Sequence, residues 1–360
     1  AYRHRLINNR LTDCRRRDEV IQHLAGCRLY VASLVSLLAK PELFGIKQFD
    51  TAIIDEASQL LETQLLGLLA ATDGKGHPAI ERFVLIGDHK QLPAIVLQEE
   101  AESRIEEECL AECGLTDCRM SLFERLYRRY CAFPQLTGML SRQWRMHPDI
   151  ADFASEAFYD NKLKAGGAKH QGRALPYKPY EGMCAEEKML ATTRLAFINI
   201  EPPALPTAET ANTANLNEAL AVARVTEAYY KLNERNGNRL HPEKAIGIIT
   251  PYRNQIAAIR QQLELLQLPD CDKIRIDTVE RFQGSQNDII IFSCAVTTAE
   301  QLAFLSQCSE EEGRPIDRKL NVAITRAREQ IVIIGYRTLL ETSPIYARLL
   351  RYIARRGCLL

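Results

Sequence analysis

The 360 residues leave room for two domains, which ordinarily run to roughly 100–200 residues each. Lys+Arg and Asp+Glu both number 46, so the formal net charge is zero and bulk charge offers nucleic acid no attraction; any basic surface is local. No apolar run approaches the roughly 20 residues that span a bilayer, and none opens the chain as a signal peptide would, so the expectation is a soluble, cytoplasmic protein with no membrane partner.

Charge is nevertheless segregated along the chain. Arg3, Arg5, Arg10, Arg15, Arg16, Arg17 and Arg28 crowd a first segment that reads as an arginine-rich helix, and glutamates crowd residues 99–112, read as a solvated helix-like element. The chain begins at Ala1 inside that arginine-rich segment, which suggests a part upstream. Eleven cysteines form no CxxC pair, which argues against a disulfide framework or a zinc ribbon. Cys109, Cys113 and Cys118 lie among glutamates with no histidine nearby and read as ordinary thiols.

In chain order, "CRLYVASLV" (27–35), "FDTAIID" (49–55) and "RFVLIGD" (82–88) read as buried strands, with helices over 57–70 and 121–130. Lys164–Lys188 has no period and reads as a loop. The second half supplies strands at 194–200, 245–250, 273–279, 288–296 and 330–335. Amphipathic helices lie between them, in "NLNEALAVARVTEAYYKL" and "RNQIAAIRQQLELL". Strands alternating with helices give an α/β class with parallel sheets, and the expected division is 1–130 and 131–360.

The strand over 49–55 runs directly into two carboxylates, Asp55 and Glu56. Such a pair at a strand's carboxyl end suits a Mg²⁺ held by Asp55 and a water activated by Glu56, whereas the dipeptide alone reads equally well as a helix start. The next strand ends in "IGDHKQLPA", placing Gly87, Asp88 and Gln91 at the corresponding point. Together "DEASQ" and "GDHKQLPA" resemble motifs II and III of the superfamily 1 helicases. The subgroup is that of the nonsense-mediated-decay RNA helicase and the Okazaki-fragment helicase-nuclease. "LSRQWRMHPDIADF", "IITPYRNQ", "IDTVERFQGSQNDIIIF" and "LNVAITRARE" resemble the later motifs in the same order.

The resemblance implies two RecA-like domains of the P-loop NTPase type, the first incomplete, with ATP and Mg²⁺ as cofactors and hydrolysis at a cleft between the domains. Asp55, Glu56, Gln91, Arg145 and Arg326 would be catalytic, the arginines stabilising charge on the transferring phosphoryl group. Asp55, Gly87, Asp88, Gln283, Gly284 and Gln286 would contact the nucleotide. Gln286 stands where the family usually has Glu, and Trp144 where Tyr is commoner. Arg328 would lie on the same helix as Arg326 and tie it to its neighbours. Ser33, Ser36, Thr250, Tyr252 and Thr278 would meet single-stranded DNA or RNA, although Tyr252 reads as readily as a core tyrosine.

A phosphate loop of the form GxxxxGK[ST] occurs nowhere in the 360 residues; "TDGKGHP" has the wrong spacing. The leading expectation is therefore the motor core of an ATP-dependent helicase or translocase, 5′-to-3′ by resemblance, cut before its phosphate loop and weak in hydrolysis as it stands. A non-catalytic nucleic-acid-binding remnant is the alternative. A nuclease ranks last for want of a carboxylate and lysine constellation.

Overall fold

β-branched runs make the strands, and the partner each run finds decides where it lies. The computed structural model describes residues 16–202, 214–306, 308–311 and 313–360; Arg3, Arg5, Arg10 and Arg15 lie outside them. Packing divides the chain into two units. The first holds the residues up to His89 together with Pro93–Gly138, and the second holds Lys90–Leu92 and Met139–Leu360.

In the first unit β1 (Phe49–Ile54) and β2 (Ile80–Leu85) pair in parallel, Phe49 opposite Ile80 and Ile54 opposite Leu85. The helix Glu62–Leu69 connects them, and Phe44, Leu68, Ala79 and Ile80 form a small core against Phe49, Ile54 and Phe83. Two expectations fail here. Residues 27–35 are not a strand: Leu34–Leu38 is a helix capped by Ser33, and Leu29, Val31 and Val35 are exposed. An apolar run becomes a strand only where a neighbour takes up its backbone groups, and the described residues give this one no such neighbour. Nor is 57–70 one helix. Ala57–Gln59 is a 3₁₀ turn and the α-helix starts only at Glu62, because Leu61 stays extended and bridges to Ser121. The acidic stretch is likewise two short helices, Glu100–Ser103 and Glu108–Glu112.

The second unit opens with a two-residue parallel pair, β3 (Arg142–Gln143) and β4 (Lys164–Ala165). Its main sheet uses β5 (Leu195–Asn199), β6 (Ile246–Ile249), β7 (Arg275–Asp277) and β8 (Asn287–Ser293). A hairpin of β9 (Cys308–Glu311) and β10 (Arg314–Asp317) precedes β11 (Ala327–Gly335) and β12 (Cys358–Leu359). The six main strands run parallel in the order β12-β5-β11-β8-β6-β7.

Both faces of this sheet are covered, as a parallel sheet requires. The period of two sends Ile290 and Phe292 of β8, with Ile331 and Ile333 of β11, into one core. Ile289, Ile291, Val332 and Ile334 enter the other. The helices Pro148–Phe158, Arg318–Thr325 and Pro344–Arg356 pack on the first face; Leu216–Arg235 and Arg253–Leu265 pack on the second. Because the strands are parallel, the sheet has one amino-terminal and one carboxyl-terminal edge, and the candidate residues of this unit divide between them. No helix among the described residues is long and apolar enough to cross a membrane.

Candidate functional site

At the end of β1 the first unit places both acidic residues in the open. The Ile86 amide donates to the Ile54 carbonyl and the Ala57 amide to the Ile86 carbonyl, each at 2.8 Å, so the two strand ends are joined just where Asp55 and Glu56 emerge. Glu56 adopts φ 54, a left-handed conformation uncommon for a residue with a Cβ. Its amide donates to Asp55 Oδ1 at 3.0 Å, and Gln59 Nε2 donates to its Oε2. Gly87 is required by close approach: a Cβ there would lie 2.8 Å from the Ser58 amide nitrogen. Ser58 Oγ in turn accepts from the Asp88 amide at 3.1 Å.

Among the described residues no three His, Cys, Asp or Glu side chains converge as a metal cage. An exposed Asp55 nonetheless suits Mg²⁺, which is usually bound through one or two carboxylates together with water and substrate phosphate.

The amino-terminal edge of the second unit's sheet gathers the two arginines. Arg326 caps the helix Arg318–Thr325 and immediately precedes β11; Gln286 immediately precedes β8. Arg145 donates from Nε to Gln286 Oε1 and from Nη1 to the Thr325 carbonyl, both at 3.0 Å. Arg326 is 3% exposed; its Nη2 donates to Gln91 Oε1 at 3.1 Å, its Nε to the Val322 carbonyl at 3.3 Å and its Nη1 to the Ser285 carbonyl at 3.4 Å. Gln91 thus packs with the second unit, where Asn321 also donates to the Lys90 carbonyl at 2.8 Å. Gly284, at φ 77, makes the turn that brings Ser285 and Gln286 here, and Gln283 Nε2 is buried without a hydrogen-bond partner among the described residues.

Gln143 was not foreseen as a site residue. Its Oε1 accepts from the amides of Arg145 and Met146 at 2.9 and 2.7 Å, and its Nε2 donates to the Met146 carbonyl at 2.9 Å, so it shapes the turn that presents Arg145. His147 caps the following helix, with Nδ1 accepting from the Asp149 amide. Trp144 lies on Gly166 and is 60% exposed. Arg328 is not on the helix with Arg326, because that helix ends at Thr325. It sits in β11 and pairs with Asp288 on β8 at 2.7 Å. Burial pushes the Asp288 carboxyl up against the pull of that guanidinium.

The carboxyl-terminal edge carries Thr250, Tyr252 and Thr278, just beyond β6 and β7. The Thr250 hydroxyl is fully buried and has no hydrogen-bond partner among the described residues. Tyr252 stacks on Phe304 with centroids 5.3 Å apart and planes at 17°, and its hydroxyl faces the Gln301 carbonyl at 3.4 Å. Lys319 Nζ lies 4.0 Å from the Phe304 centroid. Thr278 immediately precedes the short helix Val279–Phe282, with no capping bond from its side chain. In the first unit Ser33 and Ser36 are exposed and bonded to each other, Oγ to Oγ at 2.8 Å.

Known proteins share much of this sequence. An AAA domain family model matches residues 118–338, and a second one matches residues 7–99. The chain belongs to the AAA-domain family of superfamily 1 helicases. It is 27% identical, over 97% of its length, to an uncharacterized ATP-dependent helicase of Methanocaldococcus jannaschii, of which it covers 44%. It is 28% identical, over 93% of its length, to the DNA replication ATP-dependent helicase/nuclease DNA2 of Bos taurus, of which it covers 29%. To helicase sen1 of Schizosaccharomyces pombe it is 31% identical over 84% of its length, covering 15% of that protein. The chain therefore spans less than half the length of these curated relatives.

Proposed function

We propose that the chain supplies the hydrolytic and strand-gripping groups of an ATP-dependent helicase or translocase acting on single-stranded nucleic acid. The observation that carries this reading is the convergence of Arg145 and Arg326 on the two sides of Thr325, with Gln91 on Arg326 and Gln286 on Arg145. Backbone carbonyls and side-chain amides thus bring two guanidiniums to one place. A transferring phosphoryl group needs such charge, and an arginine so placed is worth roughly 10³–10⁵ in rate.

The first unit supplies the complementary chemistry. Asp55 would hold the cation, and Glu56, exposed beside it, would orient the attacking water and take its proton. Bound Mg²⁺ neutralises charge on the phosphate oxygens. The similar proteins include a DNA replication helicase, which supports nucleic acid as the partner. On the second unit the strand is met at the carboxyl-terminal edge, at the far end of β8 from the arginines.

The test is ATP turnover by the longest natural polypeptide carrying this sequence, with and without a single-stranded oligonucleotide. Stimulated turnover that collapses in Glu56→Gln and in Arg326→Ala is expected. Equal turnover in wild type and Glu56→Gln would overturn the assignment of Glu56. Oligonucleotide binding without any turnover would favour the non-catalytic alternative.

A further inference from the structure

At the carboxyl-terminal edge of the second unit's sheet lies a buried carboxyl with no cation beside it among the described residues. Glu218, in the first turn of the helix Leu216–Arg235, is 0% exposed. Its Oε2 accepts from Ser293 Oγ at 2.7 Å and from the Ala295 amide at 2.8 Å. Its Oε1 accepts from Asn215 Nδ2 at 3.2 Å, while its own amide donates to Asn215 Oδ1 at 3.1 Å. Gln255, also fully buried, closes the network: Oε1 accepts from the Asn215 amide at 2.6 Å, and Nε2 donates to the Asn215 carbonyl at 3.0 Å and to Ser293 Oγ at 3.1 Å.

Burying a carboxylate is expensive unless its hydrogen bonds are made; this one joins the cap of its own helix to the end of β8, and Gln255 ties both to a third segment. Gln255 belongs to the first turn of the helix that begins directly after Thr250, Pro251 and Tyr252. Ser293 ends β8. Ala295 stands at φ 51, a left-handed conformation unfavourable for a residue with a Cβ, and its amide is the group that Glu218 accepts. From there the Thr297 and Thr298 amides donate to Gln301 Oε1, and the Gln301 carbonyl faces the Tyr252 hydroxyl. The network thus runs from Glu218 to the stacked pair Tyr252 and Phe304.

We propose that Glu218 is a positioning residue for single-strand binding: its carboxyl fixes the left-handed turn at Ala295 and registers it with the Thr250–Tyr252 segment. This rests on the nucleic-acid reading of that edge. It assigns Glu218 no part in hydrolysis, because the seven residues of β8, roughly 20 Å, separate Ser293 from the arginine side.

The carboxyl accepts every hydrogen bond it makes outside its own backbone, so a proton on Oε2 would meet two donors and loosen the turn. Among the described residues the groups bonded to it are amides and a hydroxyl, and the buried Cys294 thiol is a titratable neighbour.

The experiment measures binding of fluorescein-labelled dT15 and rU15 to the full chain by anisotropy from pH 6 to 8.5, for wild type and Glu218→Gln. Amide hydrogen exchange is followed in both. At pH 8 the variant is expected to bind at least about fivefold more weakly, and only wild type should lose affinity, relative to the variant, on acidification. Exchange at Ala295–Thr298 should quicken while Ile331–Ile334 stays unchanged. If wild type binds neither probe, the nucleic-acid reading of this edge falls and the inference falls with it. If wild type binds and the variant matches it in affinity, pH profile and exchange, the inference alone is overturned. Should Glu218→Gln fail to fold, Ser293→Ala removes one donor and leaves the carboxyl; it should show the same losses in milder form, and unchanged behaviour overturns the proposal.

Discussion

Arg145 donates from Nε to Gln286 Oε1 at 3.0 Å, linking the turn before the helix Pro148–Phe158 to the residue that precedes β8. A neutral amide holds the guanidinium in place without cancelling its charge. Gln286→Glu, which restores the commoner residue of the family, should strengthen this bond by about 0.5–1 kcal/mol and raise the melting temperature slightly. The added carboxylate competes with phosphate for Arg145, so the apparent KM for ATP of the natural polypeptide should rise severalfold. A KM that falls would show that residue 286 faces the nucleotide rather than Arg145.

Arg326 is a more demanding position than its charge suggests. Its fork reaches the Val322 and Ser285 carbonyls and Gln91 Oε1 at once, which a single ammonium group cannot do. Arg326→Lys should therefore keep the charge yet lose most of the rate, within about tenfold of Arg326→Ala, against a total loss of about 10³ or more. Steady-state turnover compares the two; full activity in the lysine variant would show that charge alone suffices.

Trp144 is the only tryptophan of the 360 residues, so intrinsic fluorescence reports on the neighbourhood of Arg145. A Cβ on Gly166 would approach the indole to 2.4 Å, so Gly166→Ala must displace the ring. The emission maximum should shift to the red as the indole loses its backbone platform, and the turn carrying Arg145 should shift with it. An unchanged spectrum would mean that the ring does not rest on Gly166 in solution.

The second unit's strands could be read from their composition, because β-branched runs buried on both faces leave little alternative, and Ile289–Phe292 and Ile331–Ile334 are such runs. The run at 27–35 also read as a strand, with Leu29, Val31 and Val35, and is not one, since composition carries no information about partners. Motif order singled out Asp55, Glu56, Arg145 and Arg326 as candidates, but not their settings. Nothing in "TRAR" shows that the helix stops at Thr325, putting Arg326 at its cap and Arg328 in a strand. Thr250 looked like an available hydroxyl and is buried. Glu218 could have been found, because Asn215 and Glu218 three residues apart ahead of an apolar run form a capping signal.

The helices Glu62–Leu69 and Leu122–Tyr130 of the first unit are tied by a two-pronged ion pair. Arg125 Nε donates to Glu62 Oε2 at 2.7 Å and Nη2 to Oε1 at 2.5 Å, with both side chains at most 14% exposed. Glu62→Ala leaves that largely buried guanidinium bonded to the Cys113 carbonyl but without its counter-charge, and should cost about 2–4 kcal/mol. Replacing both residues, Glu62→Leu with Arg125→Met, should cost much less. Urea unfolding of the first unit separates these outcomes; equal losses in the single and double variants would show that packing rather than the pair matters.

Burial raises two carboxyls of the second unit, Glu218 to about 7 from an ordinary 4.5 and Asp317, the cap of the helix Arg318–Thr325, to about 6 from 3.8. In both cases the folded chain holds a proton that the unfolded chain has released. Their contribution to stability is therefore full below about pH 4 and is lost as pH rises through 6 to 7, of order 3 kcal/mol for Glu218. In the first unit Asp117 runs the other way: hydrogen bonding to Arg119 holds it at about 2, so its contribution is present above about pH 4 and lost as pH falls through 2. Calorimetry from pH 4 to 8 should accordingly show the second unit's transition falling with rising pH. Glu218→Gln should remove the decline between pH 6 and 7 and part of that below it, leaving the portion that belongs to Asp317 and is complete by about pH 6. A variant whose slope between pH 6 and 8 matches wild type would show that Glu218 is not the group that titrates.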